Sequence, residues 1–323
     1  MQQHTHPASR QNSALRVSYF CLYTFMPQIP YAKTIKTFDE QIEILKSRGL
    51  QFNDEMRAKQ LLQNISYYRM SGYWYPLLAD KQNHIFKSGA LFEQAYSIYK
   101  FDTKLRSLIL SEISKIEVAV RTQIAYVMSH NYDGLWFTDS SLFKNPAKHA
   151  KTLSKIDEEY SRSDEDFVTA FKVKYTDHFP PSWITLEITS LGTLSLLYSN
   201  LKDGVSKRTV ARFFGVADSV MVSWLHAITY IRNICAHHSR LWNKILGIRP
   251  IVPRRMVNPF VSIPSTSNNK VYYVLCMITY LLDIINPNNT FRDKLRDLFV
   301  EYPNIDVVAM GFPRNWQDEP LWR

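Results

Sequence analysis

The feature that most restricts the fold of this chain is the stretch 92–130. It contains no glycine and no proline. Phe101, Leu105, Leu108, Ile109, Ile113, Ile116, Val120 and Ile124 recur along it at helical intervals, the spacing that places side chains on one face of an α-helix. At 1.5 Å per residue such a helix is about 60 Å long, and its apolar stripe needs other elements to cover it. Composition agrees: apolar residues make up 46% of 323, and only 9 are glycine, too few for a fold built of strands and turns. The expected fold is all-α.

The remaining chain divides around this element. Residues 1–33 are polar, then briefly aromatic, with no sustained period, and are expected to be a poorly ordered tail. Met26 is a second candidate start. Residues 17–26 are apolar and follow Arg10 and Arg16, but the run is short and no small-residue cleavage site follows it, so it is not read as a signal peptide. Residues 34–323 are expected to form one domain. Thr37-Phe38-Asp39-Glu40 reads as a helix start, and a second helix follows Asn53-Asp54. Residues 77–89 read as a loop with room for a short hairpin. After the long helix come expected helices over 146–160, 164–175, 183–200, 207–214, 271–285, 291–302 and 305–310. Gly192, inside the expected 183–200 helix, suggests a close helix crossing. A stripe of Met221, Trp224, Leu225, Ile228, Ile231 and Cys235 meets no Gly or Pro until Gly247, so one helix is expected to run that far. Residues 209–224 have helix-turn-helix spacing, but so long an apolar stripe marks a core helix rather than a DNA reader.

Lys plus Arg exceed Asp plus Glu by 39 to 29, for a net charge of +10. That favours a polyanionic partner such as nucleic acid, although a basic solvated surface has the same signature. Cys21, Cys235 and Cys276 are far apart, with no Cys-x-x-Cys, which argues against a zinc ribbon or redox pair and fits a reducing cytoplasm. No apolar run reaches the roughly 18 residues of a membrane span, so no membrane partner is expected. The phosphate-binding loop, the Gly-x-Ser-x-Gly elbow and His-Glu-x-x-His are all missing from the sequence. No cofactor and no metal are expected.

The chemistry concentrates in 230–243, Tyr-Ile-Arg-Asn-Ile-Cys-Ala-His-His-Ser-Arg-Leu-Trp-Asn. An arginine is a permanent cation that can hold a phosphate, and a histidine is a base that titrates near neutral pH. Cutting RNA without a metal requires a proton taken from a 2′-hydroxyl, a proton given to the leaving 5′-oxygen, and charge neutralised on the phosphate. Arg232 and His237 suit these tasks, Asn233 can assist by hydrogen bonding, and His238 and Arg240 are spare, with Arg240 able to grip an RNA backbone. A helix cap is the plainer reading, since Arg and His favour a helix C-terminus. Adjacent histidines point about 100° apart and do not share a metal. Residues five apart lie about 140° apart on a helix. Arg232 and His237 therefore meet only if the helix bends or ends between them, if the arginine wraps round, or if two copies of the chain adjoin.

Two other places bear on the motif. Tyr67-Tyr68-Arg69-Met70-Ser71-Gly72-Tyr73-Trp74-Tyr75 surrounds Arg69 with aromatics, which either stack bases or plug a helix junction, the plug being the commoner case. Glu117 and Arg121 form an i,i+4 pair, either a surface pair or one turned inward to orient the motif.

Arg232-Asn233-x-x-x-His237 resembles the Arg-x(4–6)-His signature of the HEPN superfamily of metal-independent ribonucleases. From about residue 36 onward the chain resembles the Abi-like (abortive infection) proteins of bacteria. The blocks that carry this are Thr37-Phe38-Asp39-Glu40-Gln41-Ile42, the 67–74 stretch, Phe101-Asp102-x-x-Leu105-Arg106, Ile116-Glu117-Val118-Ala119-Val120-Arg121-Thr122, Trp183-x-x-x-Glu187 with Gly192, residues 232–243, and Met310-Gly311-Phe312-Pro313. The resemblance implies a HEPN-type helical bundle elaborated with further helices. It implies endoribonuclease activity on host or phage transcripts or tRNA, with 2′,3′-cyclic phosphate ends. It also implies growth arrest in phage defence, a homodimer, and sometimes an antitoxin or RNA partner. It makes Arg232, Asn233 and His237 catalytic; His238, Arg240, Arg69 and Arg121 are the further candidates for RNA contact, with Glu117 and Glu187 supporting. The alternative is a non-catalytic RNA-binding HEPN protein that regulates or senses.

Overall fold

The computed structural model describes residues 30, 32, 34–261 and 267–323. Apart from residues 30 and 32, the tail expected over 1–33 lies outside them. Among the described residues the chain forms twelve α-helices and one two-stranded antiparallel sheet, an all-α fold.

Local chemistry sets the first elements. Helix α1 (Phe38–Ser47) starts in a reciprocal cap: the Glu40 N–H donates to Thr37 Oγ1 at 3.2 Å, and the Thr37 N–H donates to Glu40 Oε2 at 2.7 Å. Asp54 caps α2 (Glu55–Ile65) by accepting from the Arg57 N–H at 2.9 Å. Helix α3 (Tyr67–Trp74) follows directly, then the hairpin of β1 (Leu78–Asp80) and β2 (Ile85–Phe86), in which Leu78 faces Phe86 and Asp80 faces Ile85. Apolar residues of these elements and of the start of α4 (Phe92–Asn131), among them Leu45, Leu62, Met70 and Phe92, pack as one cluster.

Helix α4 continues into a second, larger cluster. Phe101, Leu105, Ile109, Ile113, Ile116, Val120 and Ile124 are all fully buried, as the stripe requires. The elements that follow are α5 (Pro146–Arg162), α6 (Asp166–Lys174), α7 (Ser182–Thr185), α8 (Leu191–Asn200), α9 (Val205–Phe213), α10 (Asp218–Ala236), α11 (Val271–Ile285) and α12 (Phe291–Glu301). Helix α4 packs against α3, α9, α10, α11 and α12, so it is the spine of the molecule. Helix α11 is buried from Val271 through Leu282. No single helix among the described residues is long and apolar enough to cross a membrane.

Three expectations are corrected. The helix expected over 183–200 is two helices. Between them Thr185 Oγ1 donates to the Pro180 carbonyl (2.6 Å), Thr189 Oγ1 donates to the Thr185 carbonyl (2.8 Å), and Ser190 Oγ opens α8 by accepting from the Thr193 N–H (3.3 Å). These hydroxyls offer the backbone local partners in place of the helical ladder. Gly192 does face α10, but a methyl group there would sit 3.8 Å from the Thr229 methyl, an ordinary contact, so the crossing does not require glycine. The helix expected to run to residue 247 stops at Ala236. Residues 305–310 form turns rather than a helix.

Gly311 is among the glycines that the backbone requires. Gly311 has φ +94°, and a Cβ there would lie 2.6 Å from Lys270 Cβ. The turn brings the Met310 carbonyl to the Tyr272 N–H (3.1 Å) at the start of α11. Gly311→Ala is therefore expected to destabilise the fold by more than about 1 kcal/mol, read as a lower urea midpoint with unchanged slope.

Candidate functional site

The residues of 230–243 are placed by the way α10 ends. Its apolar stripe, Met221, Trp224, Leu225, Ile228, Ile231 and Cys235, is buried in the core. That fixes the last turn, with Arg232 half-buried and Asn233 exposed. The helix then closes in a Schellman arrangement. The His238 N–H donates to the Cys235 carbonyl (3.1 Å) and the Ser239 N–H to the Ile234 carbonyl (3.0 Å). The residue that makes this reversal usually is glycine; here it is His238, at φ +54°. A side chain in the left-handed region costs about 1–2 kcal/mol, and such strain persists only where surrounding contacts hold it.

Those contacts come from α3, some 170 residues earlier. Arg69 Nη1 donates to the His238 carbonyl at 2.6 Å, and Arg240 Nη1 donates to the Gly72 carbonyl at 2.6 Å. A buried carboxylate, Asp102 on α4, completes the clasp. One oxygen, Oδ1, accepts from the Trp242 N–H (2.6 Å) and the Leu241 N–H (3.2 Å); the other, Oδ2, accepts from Tyr73 Oη (2.7 Å) and from Arg106, one turn on. Burial pushes the Asp102 carboxyl up, opposed by the Arg106 guanidinium and by the Tyr73, Trp242 and Leu241 donors. Burial with the Asp102 charge nearby pushes the Tyr73 phenol up as well.

The aromatic block is thus a packed junction. Tyr73 and Trp74 are buried, Tyr67 meets Trp74 edge to face and accepts from Arg48 at 3.0 Å, and Tyr68 and Tyr75 are exposed, Tyr68 the more so at 89%. Burial also pushes the Cys235 thiol up to about 12, so this cysteine beside the motif packs as a neutral thiol rather than acting as a nucleophile.

The expected residues therefore separate into distinct groups. Arg69 and Arg240 hold the loop through carbonyls, and His238 makes the turn. Arg232 has one polar neighbour, Asn233 Oδ1 at 3.5 Å. His237, the cap residue of α10, is exposed, and neither Arg232 nor His237 forms an ion pair among the described residues. Arg121, Glu117 and Glu187 belong elsewhere. Arg121 is buried, not a surface residue, and it donates to Glu117 at 3.0 Å and to the Thr189 carbonyl at 3.1 Å, with Glu187 at 3.7 Å. Its partners lie on α4 and in the break between α7 and α8, not in 230–243. Asp102 and Arg106 enter the sequence reading only within a block that carries the family resemblance, and Tyr73 and Gly72 only within the aromatic block, none of them with a role of its own. The available signal was an Asp and an Arg four residues apart on the buried stripe of α4, where solvent cannot solvate them.

Two outcomes follow. Asp102→Asn keeps the shape but leaves Arg106 buried without its counter-charge, and should cost about 3–5 kcal/mol in chemical denaturation. His238→Gly should be at least as stable as the natural chain, whereas His238→Val should be less stable by about 1–2 kcal/mol, measured from paired urea melts.

The model of the Abi-like protein family matches residues 60–243, more than half the chain. The match begins within α2 and ends at the last residue of the motif. No curated protein and no solved structure matches the chain.

Proposed function

The chain belongs to the Abi-like protein family, and we propose that it is a metal-independent endoribonuclease of the abortive-infection type, with Arg232, Asn233 and His237 as its catalytic group. The supporting observation is a division of labour among the basic side chains. Arg69, Arg106, Arg121 and Arg240 all bond to carbonyls or carboxylates of the fold. Arg232 and His237 are left at the end of a rigid, buried helix, where a mobile phosphodiester can reach them. A side chain held ready but unused by the fold is what electrostatic preorganisation requires.

In this reading a 2′-hydroxyl loses its proton to an imidazole and its oxygen attacks the adjacent phosphorus. The 5′-oxygen leaves and takes a proton from an imidazolium, so the products are a 2′,3′-cyclic phosphate and a 5′-hydroxyl. Arg232 neutralises the charge gathering on the phosphate oxygens, and Asn233 orients them by hydrogen bonding. The two proton transfers take place on opposite sides of phosphorus. That favours a homodimer in which each copy brings a His237, with an antitoxin or RNA partner restraining it in the cytoplasm.

A second feature supports an RNA partner. Residues 249–255 are extended, expose Arg249, Arg254 and Arg255, and are fastened to α10 through Ile251. Its N–H donates to Ser223 Oγ (2.9 Å), and its carbonyl accepts from Trp224 Nε1 (2.9 Å) and Tyr273 Oη (3.1 Å). A basic segment fixed to the helix that carries Arg232 suits backbone phosphates.

Expression of the natural chain should arrest growth, and Arg232→Ala or His237→Ala should abolish arrest while the melting curve stays the same. Purified chain should cut RNA in excess EDTA with at least about a hundredfold loss in either variant. Equal cutting by natural chain and His237→Ala would refute the assignment. RNA binding without cutting by any form would favour a regulatory RNA-binding role.

A further inference from the structure

The Arg121 cluster opens onto a cavity of about 640 Å³ between α4 and α7, within the usual range of about 300–1,000 Å³ for small-ligand sites. Its floor is the buried Leu186 and the stem of Arg121. Its walls are aromatic. Trp183 is 55% exposed although its ring already rests on Gly134, where a Cβ would come within 3.2 Å. Tyr126 is 60% exposed, and the His130 ring lies 4.2 Å from its own. Exposed rings facing one cavity are costly to leave in water and are suited to sandwiching a flat solute.

The polar groups narrow the choice. Arg121 is 8% exposed, and its Nε–H is buried without an acceptor, a loss of about 1–3 kcal/mol for a donor in a folded protein. Beside it Glu187 is half-exposed at 3.7 Å, too far for a tight hydrogen bond, so its oxygens retain capacity to accept. Glu117 is paired with the same guanidinium. Two carboxylates against one guanidinium leave no spare cation for a phosphate, so the phosphate of a nucleotide would stay outside in solvent while its base enters. What it suits is a neutral ring that offers adjacent N–H donors to a carboxylate and acceptors to an arginine. Guanine does both: N1–H and N2–H face a carboxylate, and O6 and N7 face a guanidinium. Adenine has no such pair of donors on one edge.

We infer that the cavity formed by Arg121, Tyr126, His130, Trp183 and Glu187 is a guanine-binding site, filled either by a free nucleotide or by an unpaired base of single-stranded RNA. This goes beyond cleavage and does not depend on it, because the Arg121 cluster shares no bond with the 230–243 segment.

The test uses the full chain carrying His237→Ala, so that no RNA is cut. Guanosine and adenosine monophosphate, and short oligouridines with one central guanosine or adenosine, are titrated calorimetrically. Guanine probes should bind saturably and at least about tenfold more tightly than their adenine counterparts. Trp183→Ala should weaken binding about tenfold while Trp183→Phe retains it, and Glu187→Gln should erase the preference for guanine. Trp183 and Glu187 are half-exposed, so these variants should fold, as far-ultraviolet dichroism would verify. Equal affinity for the mononucleotide and the oligomer supports a free nucleotide as occupant; binding by the oligomer alone supports an RNA base. Equal binding of guanine and adenine, or undiminished binding by Trp183→Ala and Glu187→Gln, would overturn the inference. Failure of Arg232→Ala to relieve growth arrest would leave this result untouched.

Discussion

The structure around the motif depends on one buried carboxylate. Asp102 lies on the apolar stripe of α4, next to Phe101 and Leu105, at a position where an unpaired charge would cost several kcal/mol. It is tolerated because four donors from three parts of the chain reach it: Tyr73 from α3, Arg106 from its own helix, and the Leu241 and Trp242 amides from the loop after α10. The carboxylate therefore acts as a joint that closes only when α3, α4 and the end of α10 are all in place. The family match spans 60–243, and the elements near its two limits are those that meet at Asp102.

That joint accounts for the conformation at the motif. A left-handed histidine at a helix end is strained in isolation. Here the strain is held by Arg69 on the His238 carbonyl, by Arg240 on the Gly72 carbonyl, and by Asp102 on the next two amides. Flexible polar loops usually surrender such geometry to water. This one is bonded at every step from residue 238 to residue 242, so the last turn of α10 is fastened to the core behind it.

The fold class was legible because its signal is periodic. The stripe of α4, the reciprocal cap at Thr37 and the buried run of α11 are local patterns, and local patterns need no knowledge of partners. The break at 186–190 was not legible, since Thr185 and Thr189 are tolerable in a helix and only their capture of the Pro180 and Thr185 carbonyls ends one. The stop at Ala236 was hidden for a similar reason: reversal at a histidine rather than a glycine carries no compositional mark. At the motif, sequence singled out the stretch 230–243 but could not sort its basic residues. Arg69 and Arg240 look as free as Arg232 in a one-dimensional reading, and only long-range carbonyls distinguish them. For Arg121 the sequence left a surface pair with Glu117 and an inward-turned pair both open; the residue is buried, but it turns towards Thr189 rather than towards the motif.

The early stop of α10 does not by itself turn His237 towards Arg232. On one continuous helix they would diverge by about 140°, and a shared phosphate would have required a second copy of the chain or a far-reaching arginine. With Ala236 as the last helical residue, His237 sits at the cap, and the chain reverses immediately after it. Its N–H still donates to the Asn233 carbonyl at 2.9 Å, the helical bond, so the reversal held by Arg69 and Asp102 begins at His238 and leaves the divergence of Arg232 and His237 in place. On the proposed reading, residues that touch no RNA would still govern catalysis: Asp102, Arg69 and Gly72 would be positioning residues for His237. A dimer would then serve both purposes, supplying the second proton transfer and bringing one copy's arginine within reach of the other's histidine.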